Sequence, residues 1–299
     1  MRVLVLGGTG LLGNRLAREL SNRFEVFATT RMVADDHRHL AKILEPSQWL
    51  SNFDVLNIEA AEKTLFDLRP EVIINCLGIT KHQDFSKEFE TIVRVNSFFP
   101  HQLCNISAKL GCKLVLISTD CVFSGNKGNY SESSIPDPVD LYGRSKALGE
   151  IDSSGVLVLR TSFVGREIKS FTNLFEWARL NRGCQVAGYR QAIYSGLTTQ
   201  ALSVVIRNIL VEHLNLEGLF HVSSEPISKF DLLSQLNERL KLGIRLIPND
   251  SFVCDRTLNC QSFRMVTKMT LPDWNKMLED YAVDEDWYAT VLGNAESTV

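Results

Sequence analysis

Two runs in this 299-residue chain have residue types and spacing suited to chemistry. The first is Tyr142-Gly143-Arg144-Ser145-Lys146, which follows a proline-containing loop and enters a helix-like stretch, Leu141–Glu150. Residues four apart share a helix face, so Tyr142 and Lys146 point the same way. An ammonium beside a phenol stabilises the phenolate and lowers the phenol's pKa. That makes Tyr142 a usable general acid or base for a carbonyl or an alcohol. Taken alone, Tyr-x-x-x-Lys arises often by chance and is usually structural. The second run is Ser118-Thr119-Asp120-Cys121-Val122-Phe123-Ser124-Gly125, at the end of the apolar stretch Lys113–Ser118. Open α/β sheets bind ligands at the carboxyl ends of their strands, where a hydroxyl can hydrogen-bond a substrate carbonyl.

A third run suggests what would act with them. Gly7-Gly8-Thr9-Gly10-Leu11-Leu12-Gly13 lies between a strand-like run and an amphipathic one, with Gly7, Gly10 and Gly13 three apart. A dinucleotide pyrophosphate needs close backbone approach, free N–H groups and a helix N-terminus aimed at it. Glycine is also the default turn residue. The strand before, the helix after and the place near the start of the chain raise the dinucleotide reading above that alternative. An NAD site would carry an acidic residue at the end of the second strand. Here the run is Ala28-Thr29-Thr30-Arg31, with no acid before Asp35. Arg31 offers a forked donor suited to a 2′-phosphate, which favours NADP(H); the other reading is an ordinary surface arginine.

These runs need a scaffold that brings them together. Strands are expected at Val3–Leu6, Glu25–Thr29, Val72–Cys76, Lys113–Ser118 and Val156–Arg160. Between them, Leu12, Leu16, Ala17 and Leu20 recur at helical spacing, and Ile58–Leu68 reads as a second helix. Such alternation predicts a parallel sheet covered on both faces, and right-handed crossovers make it a doubly wound, Rossmann-like α/β fold. Later, helices are expected over Thr172–Leu180, Thr199–Val211 and Lys229–Leu240, the last with Ser228 as N-cap and Gly243 beyond its end. A strand is expected at Leu219–Val222. Residues 1–163 with about 190–222 would form the dinucleotide domain, and about 164–189 with 223–299 a smaller, interleaved substrate lobe. The tail Gly293–Val299 reads as frayed.

In order along the chain, these motifs resemble the extended short-chain dehydrogenases/reductases, and within them the dTDP-4-dehydrorhamnose reductase branch of nucleotide-sugar enzymes. The resemblance rests on the glycine turn, Val95-Asn96, Ser118-Thr119-Asp120-x-Val122-Phe123-x-Gly125, Tyr142-Gly143-x-Ser145-Lys146 and Leu159-Arg160-Thr161-Ser162. Weaker matches are Gly196-Leu197-Thr198-Thr199, Phe220-His221-Val222-Ser223, Arg256-Thr257-Leu258-Asn259 and Trp274. The resemblance implies that Tyr142 gives a proton to the carbonyl oxygen as hydride arrives from the nicotinamide. Lys146 would bind the nicotinamide ribose and tune Tyr142. Thr119 would orient the carbonyl, and Asn96 would order the active-site helix. Gly7, Thr9, Gly10, Leu11, Leu12 and Gly13 would hold the pyrophosphate. Asp54, near the expected third strand, would contact adenine, and Cys76, Leu77 and Gly78 would flank the cofactor. Asp120, Cys121 and Phe163 would face the substrate, with Arg160, Ser162, Thr198 and Arg256 lining or bracing its cleft. Arg256 and Asn259 have a second reading as pins for the C-terminal lobe.

The branch has tyrosine where this chain has Cys121, and tryptophan where it has Phe163. The redox chemistry is expected, while the sugar is left open. Related 4,6-dehydratases use Thr-Asp-Glu; with Cys121 in third place that elimination lacks its base. A keto nucleotide-sugar reductase is therefore the expected activity. An epimerase of the same family is an alternative, as is a non-catalytic NADP-binding subunit of the kind that regulates methionine adenosyltransferase.

A net charge of −3 offers no electrostatic case for nucleic acid or an anionic membrane as partner. No apolar run approaches the roughly 18 residues of a membrane span, and the chain opens directly into a strand-like run, so a cytoplasmic location is expected. The seven cysteines form no Cys-x-x-Cys pair and their number is odd, which fits buried free thiols in a reducing compartment better than disulfides or zinc. His37, Arg38 and His39 read as a solvated loop, and no metal is expected. The resemblance also implies a homodimer paired through helices of the sheet domain.

Overall fold

The valine, leucine and isoleucine runs of the first half form the centre of the molecule. The computed structural model describes residues 1–31, 40–80, 85–168 and 171–292. The readings of His37–His39 and of Gly293–Val299 lie outside them. In the first half the elements run β1 (Arg2–Leu6), α1 (Leu11–Ser21), β2 (Glu25–Thr29), β3 (Trp49–Leu50), α2 (Ile58–Leu68) and β4 (Val72–Asn75). There follow α3 (Phe85–Val93), a π-helical turn at Arg94–Phe98, α4 (Phe99–Leu110), β5 (Lys113–Thr119), α5 (Leu141–Leu148) and β6 (Val156–Thr161). The second half adds β7 (Phe163–Val164), α6 (Leu174–Leu180), β8 (Gln185–Tyr189), β9 (Ala192–Tyr194), β10 (Leu197–Thr198) and α7 (Thr199–Glu212). It closes with β11 (Gly218–His221), β12 (Ile227–Ser228), α8 (Lys229–Leu240), β13 (Arg245–Asn249), β14 (Cys254–Asp255), α9 (Gln261–Thr267) and α10 (Trp274–Leu292).

Seven strands pair in parallel in the order β11-β6-β5-β4-β1-β2-β3. This is the Rossmann-like sheet that the alternating pattern predicts. Its order reverses between β1 and β4, so the crevice where ligands bind opens beyond Leu6 and Asn75. Successive side chains point to opposite faces. Val3 and Val5 join Leu16, Leu20, Val205 and Ile209 on one face, beneath α1 and α7. Leu4 and Leu6 join Leu65, Leu103 and Ile106 on the other, beneath α2 and α4. Burial on both sides is why these strands read as continuous apolar runs rather than alternating ones.

The smaller sheets, β10-β7, β12-β9-β14 and β13-β8, stand beyond the main one. The expected helix at Thr172 begins instead at Leu174, because Asn173 accepts the Phe175 N–H as N-cap. The helix expected to reach Glu150 stops at Leu148, before Gly149. Ser228 does cap α8, taking the Asp231 N–H at 2.9 Å. All seven cysteines are free, though only Cys112 and Cys260 are buried. No helix among the described residues is long and apolar enough to cross a membrane.

Candidate active site

Gly7 ends β1 with φ +83°, a left-handed conformation open to glycine. Its N–H donates to Thr29 Oγ1 at 2.9 Å and its carbonyl accepts from Gly10 N at 2.9 Å. Gly13 lies on that turn so closely that a Cβ there would stand 2.0 Å from Gly7 O. α1 starts after its N-cap Gly10, which has no side chain to cap the N–H groups of the first turn. Leu77, just beyond β4, covers Gly7 from the other side of the switch point. Leu77 N donates to Asn75 Oδ1 at 3.1 Å, which fixes the Cys76-Leu77-Gly78 turn. Arg31 and Asp54 are exposed beyond β2 and β3, away from the tyrosine and lysine. Thr30 O takes the Phe53 N–H at 3.0 Å, which ties those two loops together.

The candidate catalytic residues come together where β5 ends. Thr119 caps the short turn Asp120–Val122, accepting the Cys121 N–H at 3.1 Å. Asp140 caps α5 by accepting Gly143 N at 2.7 Å, and a Cβ on Gly143 would lie 2.1 Å from Cys121 O. That glycine lets α5 press onto the turn, which brings the half-buried Tyr142 up to Thr119, whose Oγ1 donates to Asp120 Oδ1 at 3.2 Å. Lys146 is buried and its Nζ donates to Ile117 O at 2.7 Å.

The electrostatics differ from the expectation that Lys146 would lower the Tyr142 pKa. Desolvation pushes the phenol well above its ordinary range, and Cys121, Asp120 and Asp140 push it the same way, against the Thr119 hydroxyl. Lys146 is itself lowered to about 8 by burial, with Glu150 and Cys76 partly restoring it. Sharing a helix face is not enough, because the ammonium is engaged by the Ile117 carbonyl and the phenol sits among groups of negative character. Desolvation likewise raises the half-buried Cys76 thiol to about 12, which keeps it neutral beside the site.

Asn96 lies in the π-helical turn, a feature sequence periodicity does not reveal. Its Oδ1 accepts from Ile79 N and its Nδ2 donates to Ile79 O, both at 2.9 Å. Nδ2 also reaches Ser145 Oγ at 3.0 Å, and Ser145 Oγ donates to Tyr142 O at 2.8 Å. One buried amide thus ties the loop after β4 to the helix carrying Tyr142 and Lys146. Pro100 follows at the start of α4, where its missing N–H costs little.

Thr119, Asp120, Cys121, Tyr142 and Lys146 therefore converge, with Asn96 and Cys76 beside them. Arg256 closes one side, its Nε donating to Phe123 O at 2.9 Å and its Nη1 reaching Cys121 Sγ at 3.6 Å. Phe163 follows β6 on β7, pairs with Leu197 and packs on the core. Arg160 braces rather than lines. It is buried, forks onto Glu150 at 2.8 and 2.6 Å and reaches His221 Nε2 at 3.3 Å. Ser118 Oγ completes that group at 2.5 Å from Glu150 Oε1. Thr198 is buried as the N-cap of α7, and Asn259 N donates to Tyr130 O at 2.7 Å.

Sequence reasoning missed Glu150 and Tyr194. Tyr194 lies near Ser162, Asp120 and Cys121, and its ring packs tilted against Trp274 with centroids 5.4 Å apart. A Cβ on Gly196 would meet its hydroxyl at 2.0 Å, so the glycine of the Gly196-Leu197-Thr198-Thr199 match was the available signal.

A Rossmann sheet with a glycine-lined helix N-terminus at its switch point, and a Thr–Tyr–Lys group at the end of β5, defines a dinucleotide-dependent oxidoreductase. The family model described as "RmlD substrate binding domain" matches residues 1–285, and the chain belongs to that family. Among curated relatives, methionine adenosyltransferase 2 subunit beta of Xenopus laevis is 26% identical, covering 81% of this chain and 72% of its own length. The dTDP-4-dehydrorhamnose reductase of Aggregatibacter actinomycetemcomitans is 28% identical, over 77% and 76%. The crystal structure of the dTDP-4-dehydrorhamnose reductase of Bacillus anthracis in complex with NADP has the same fold, with TM-score 0.78, 23% identity and coverage of 95% and 99%.

Proposed function

We propose that the protein is an NADPH-dependent reductase of a keto nucleotide-sugar, with Tyr142 as proton donor. The observation that carries this reading is the meeting of Thr119, Tyr142 and Lys146 beside the uncapped N-terminus of α1. The chain fits a dinucleotide. Gly7, Thr9, Gly10, Leu11, Leu12 and Gly13 form a turn with no Cβ at its closest approaches, and Cys76, Leu77 and Gly78 wall the nicotinamide side. Arg31, exposed past β2, has the fork for a 2′-phosphate, and Asp54 on the neighbouring loop stands on the adenine side. When bound, NADPH supplies a hydride to the carbonyl carbon.

The residues supply the rest. Thr119 holds the carbonyl oxygen against the Tyr142 hydroxyl. Tyr142 keeps its proton at neutral pH, because burial and its negative neighbours hold the phenol neutral, and it gives that proton to the oxygen. Lys146 holds the ribose and, as an ammonium, offsets the phenolate left behind. Asn96 positions the helix carrying both. Asp120, Cys121 and Phe163 face the sugar, and the exchange of the branch's tyrosine and tryptophan for Cys121 and Phe163 argues for a sugar other than the rhamnose precursor. The same reading carries a cytoplasmic location and a homodimer.

The test follows oxidation of NADPH and of NADH against a panel of nucleotide-activated 4-keto-6-deoxy sugars. Tyr142→Phe should lower turnover by about 10²–10⁴ while cofactor binding stays intact. Arg31→Ala should raise KM for NADPH and leave NADH unchanged. NADPH binding without turnover on any sugar would refute the reductase reading in favour of a regulatory subunit, which should then co-purify with its partner enzyme. Tightly retained cofactor without net consumption would point to an epimerase.

A further inference from the structure

The last turns of α10 reach back across the molecule to the helix that begins at the glycine turn. Tyr288 is fully buried, and its hydroxyl donates to Asn14 Oδ1 at 3.0 Å. Asn14 is equally buried, one turn into α1. Its Nδ2 donates to Gly10 O at 2.7 Å and to Leu11 O at 3.2 Å, while its own backbone N–H shares the Gly10 carbonyl at 3.1 Å. The nitrogen of the Asn14 amide thus grips the carbonyls of the first helical turn, and Tyr288 holds its oxygen.

The rest of that stretch of α10 anchors the grip. Asp284 pairs with Arg15 Nε at 3.1 Å and Arg18 Nη1 at 3.0 Å, both on α1, and with Gln200 Nε2 at 3.2 Å on α7. The Arg18 guanidinium lies 3.7 Å over the Trp287 ring. On the other side Glu285 takes Arg166 Nη1 at 3.0 Å, and Arg166 Nε binds Glu176 at 2.9 Å in α6. One stretch of α10 therefore joins α1 to the segments after β7.

We infer that Tyr288 is a positioning residue for the cofactor, acting through Asn14 to set the carbonyls and N–H groups of the Gly7–Gly13 turn. This rests on the reading of that turn as the dinucleotide cradle. The hydrogen bond is remote from the reacting atoms, so it should govern cofactor affinity and not the chemical step. Tyr288 lies just beyond the residues 1–285 that the family model matches, on the last turns of α10. Without the hydroxyl, Asn14 Oδ1 loses its partner in a dry environment, and the amide is free to turn and release Gly10 O.

The test uses the full chain with Tyr288→Phe, which keeps the ring, and Leu278→Ala, which loosens α10 elsewhere, as the control for general destabilisation. Two readouts are taken: hydrogen exchange of the backbone amides of residues 10–14 in the cofactor-free protein, and direct titration with NADPH. Tyr288→Phe should speed that exchange and raise the NADPH Kd roughly three- to tenfold, with kcat at saturating NADPH and KM for the sugar unchanged. Leu278→Ala should lower Tm without either effect. Exchange and Kd within twofold of the wild type in Tyr288→Phe would overturn the inference, as would equal changes in Leu278→Ala. Faster exchange in Tyr288→Phe together with a wild type that binds neither NADPH nor NADH would uphold the coupling and refute the proposed function instead.

Discussion

Glu150→Gln tests the ground beneath the catalytic group. The Glu150 carboxylate takes both arms of Arg160, at 2.8 and 2.6 Å, and the Ser118 hydroxyl at 2.5 Å. The Glu150 and Arg160 side chains are 11% and 5% exposed, so the pair is largely dry. Removing one charge from a buried pair costs about 3–5 kcal/mol, most of it from the uncompensated partner. Here the amide can still accept from Arg160 and Ser118, and Arg160 keeps His221 and the face of Phe123 at 5.2 Å. The lower end, about 3 kcal/mol, is expected, which for a chain of this size is a fall in Tm of roughly 6–12 °C. A second effect follows from charge alone. Glu150 helps keep Lys146 protonated against burial, so the Lys146 pKa should fall below its value of about 8. The alkaline limb of kcat/KM should therefore move to lower pH, with Tyr142 untouched. Thermal melts and a pH–rate profile of the variant provide both readouts. A Tm within 2 °C of the wild type (about 1 kcal/mol or less), or an alkaline limb that stays in place, would refute the reasoning.

Gly13→Ala should raise the NADPH Kd at least tenfold by titration, since the added Cβ would meet Gly7 O at 2.0 Å and force the turn apart. In the wild type, kcat/KM should decline as pH rises through about 8, because the Lys146 ammonium is lost there, and a profile flat to pH 10 would contradict it. The His221 ring, which donates from Nδ1 to Tyr130 O at 2.9 Å, is held below the ordinary histidine value of 6.5 chiefly by burial. The unfolded chain then takes up the proton first, so stability should fall as pH drops below 6.5, and urea melts of His221→Asn should lose that dependence.

Much of the scaffold was legible because local rules and tertiary demands agree in it. β1, β4, β5 and β6 are buried on both faces along most of their length and carry mainly β-branched and leucine side chains. Ser228 is a helix starter by side-chain type, and it caps α8. Where the chain breaks a local rule, reading failed. The helical segment from Phe85 to Leu110 contains Pro100 and a π turn, and each interrupts the 3.6-residue period that identifies a helix. α10 mixes Asp284, Glu285, Trp287 and Tyr288 on surfaces that all find partners, so its pattern is not a simple apolar stripe. The two-residue strands β7, β10 and β12 are defined by their partners rather than by composition.

The site divides along the same line. Residue identity and spacing single out the glycine turn, Thr119, Tyr142 and Lys146 as candidates, because close approach and a shared helix face are local properties. Charge is not local. The Tyr142 shift is set first by burial, and Cys121 and Asp120, brought in from the turn after β5, add to it together with the helix cap Asp140. A sequence spacing of four contains none of that. The outcome still suits a reductase. A carbonyl being reduced needs a group that arrives with its proton, and a phenol held neutral by its surroundings meets that need throughout the neutral range. Tyr142 is thus protonated before the reaction, and Lys146, lowered to about 8, can still carry the positive charge that steadies the phenolate once the proton has left.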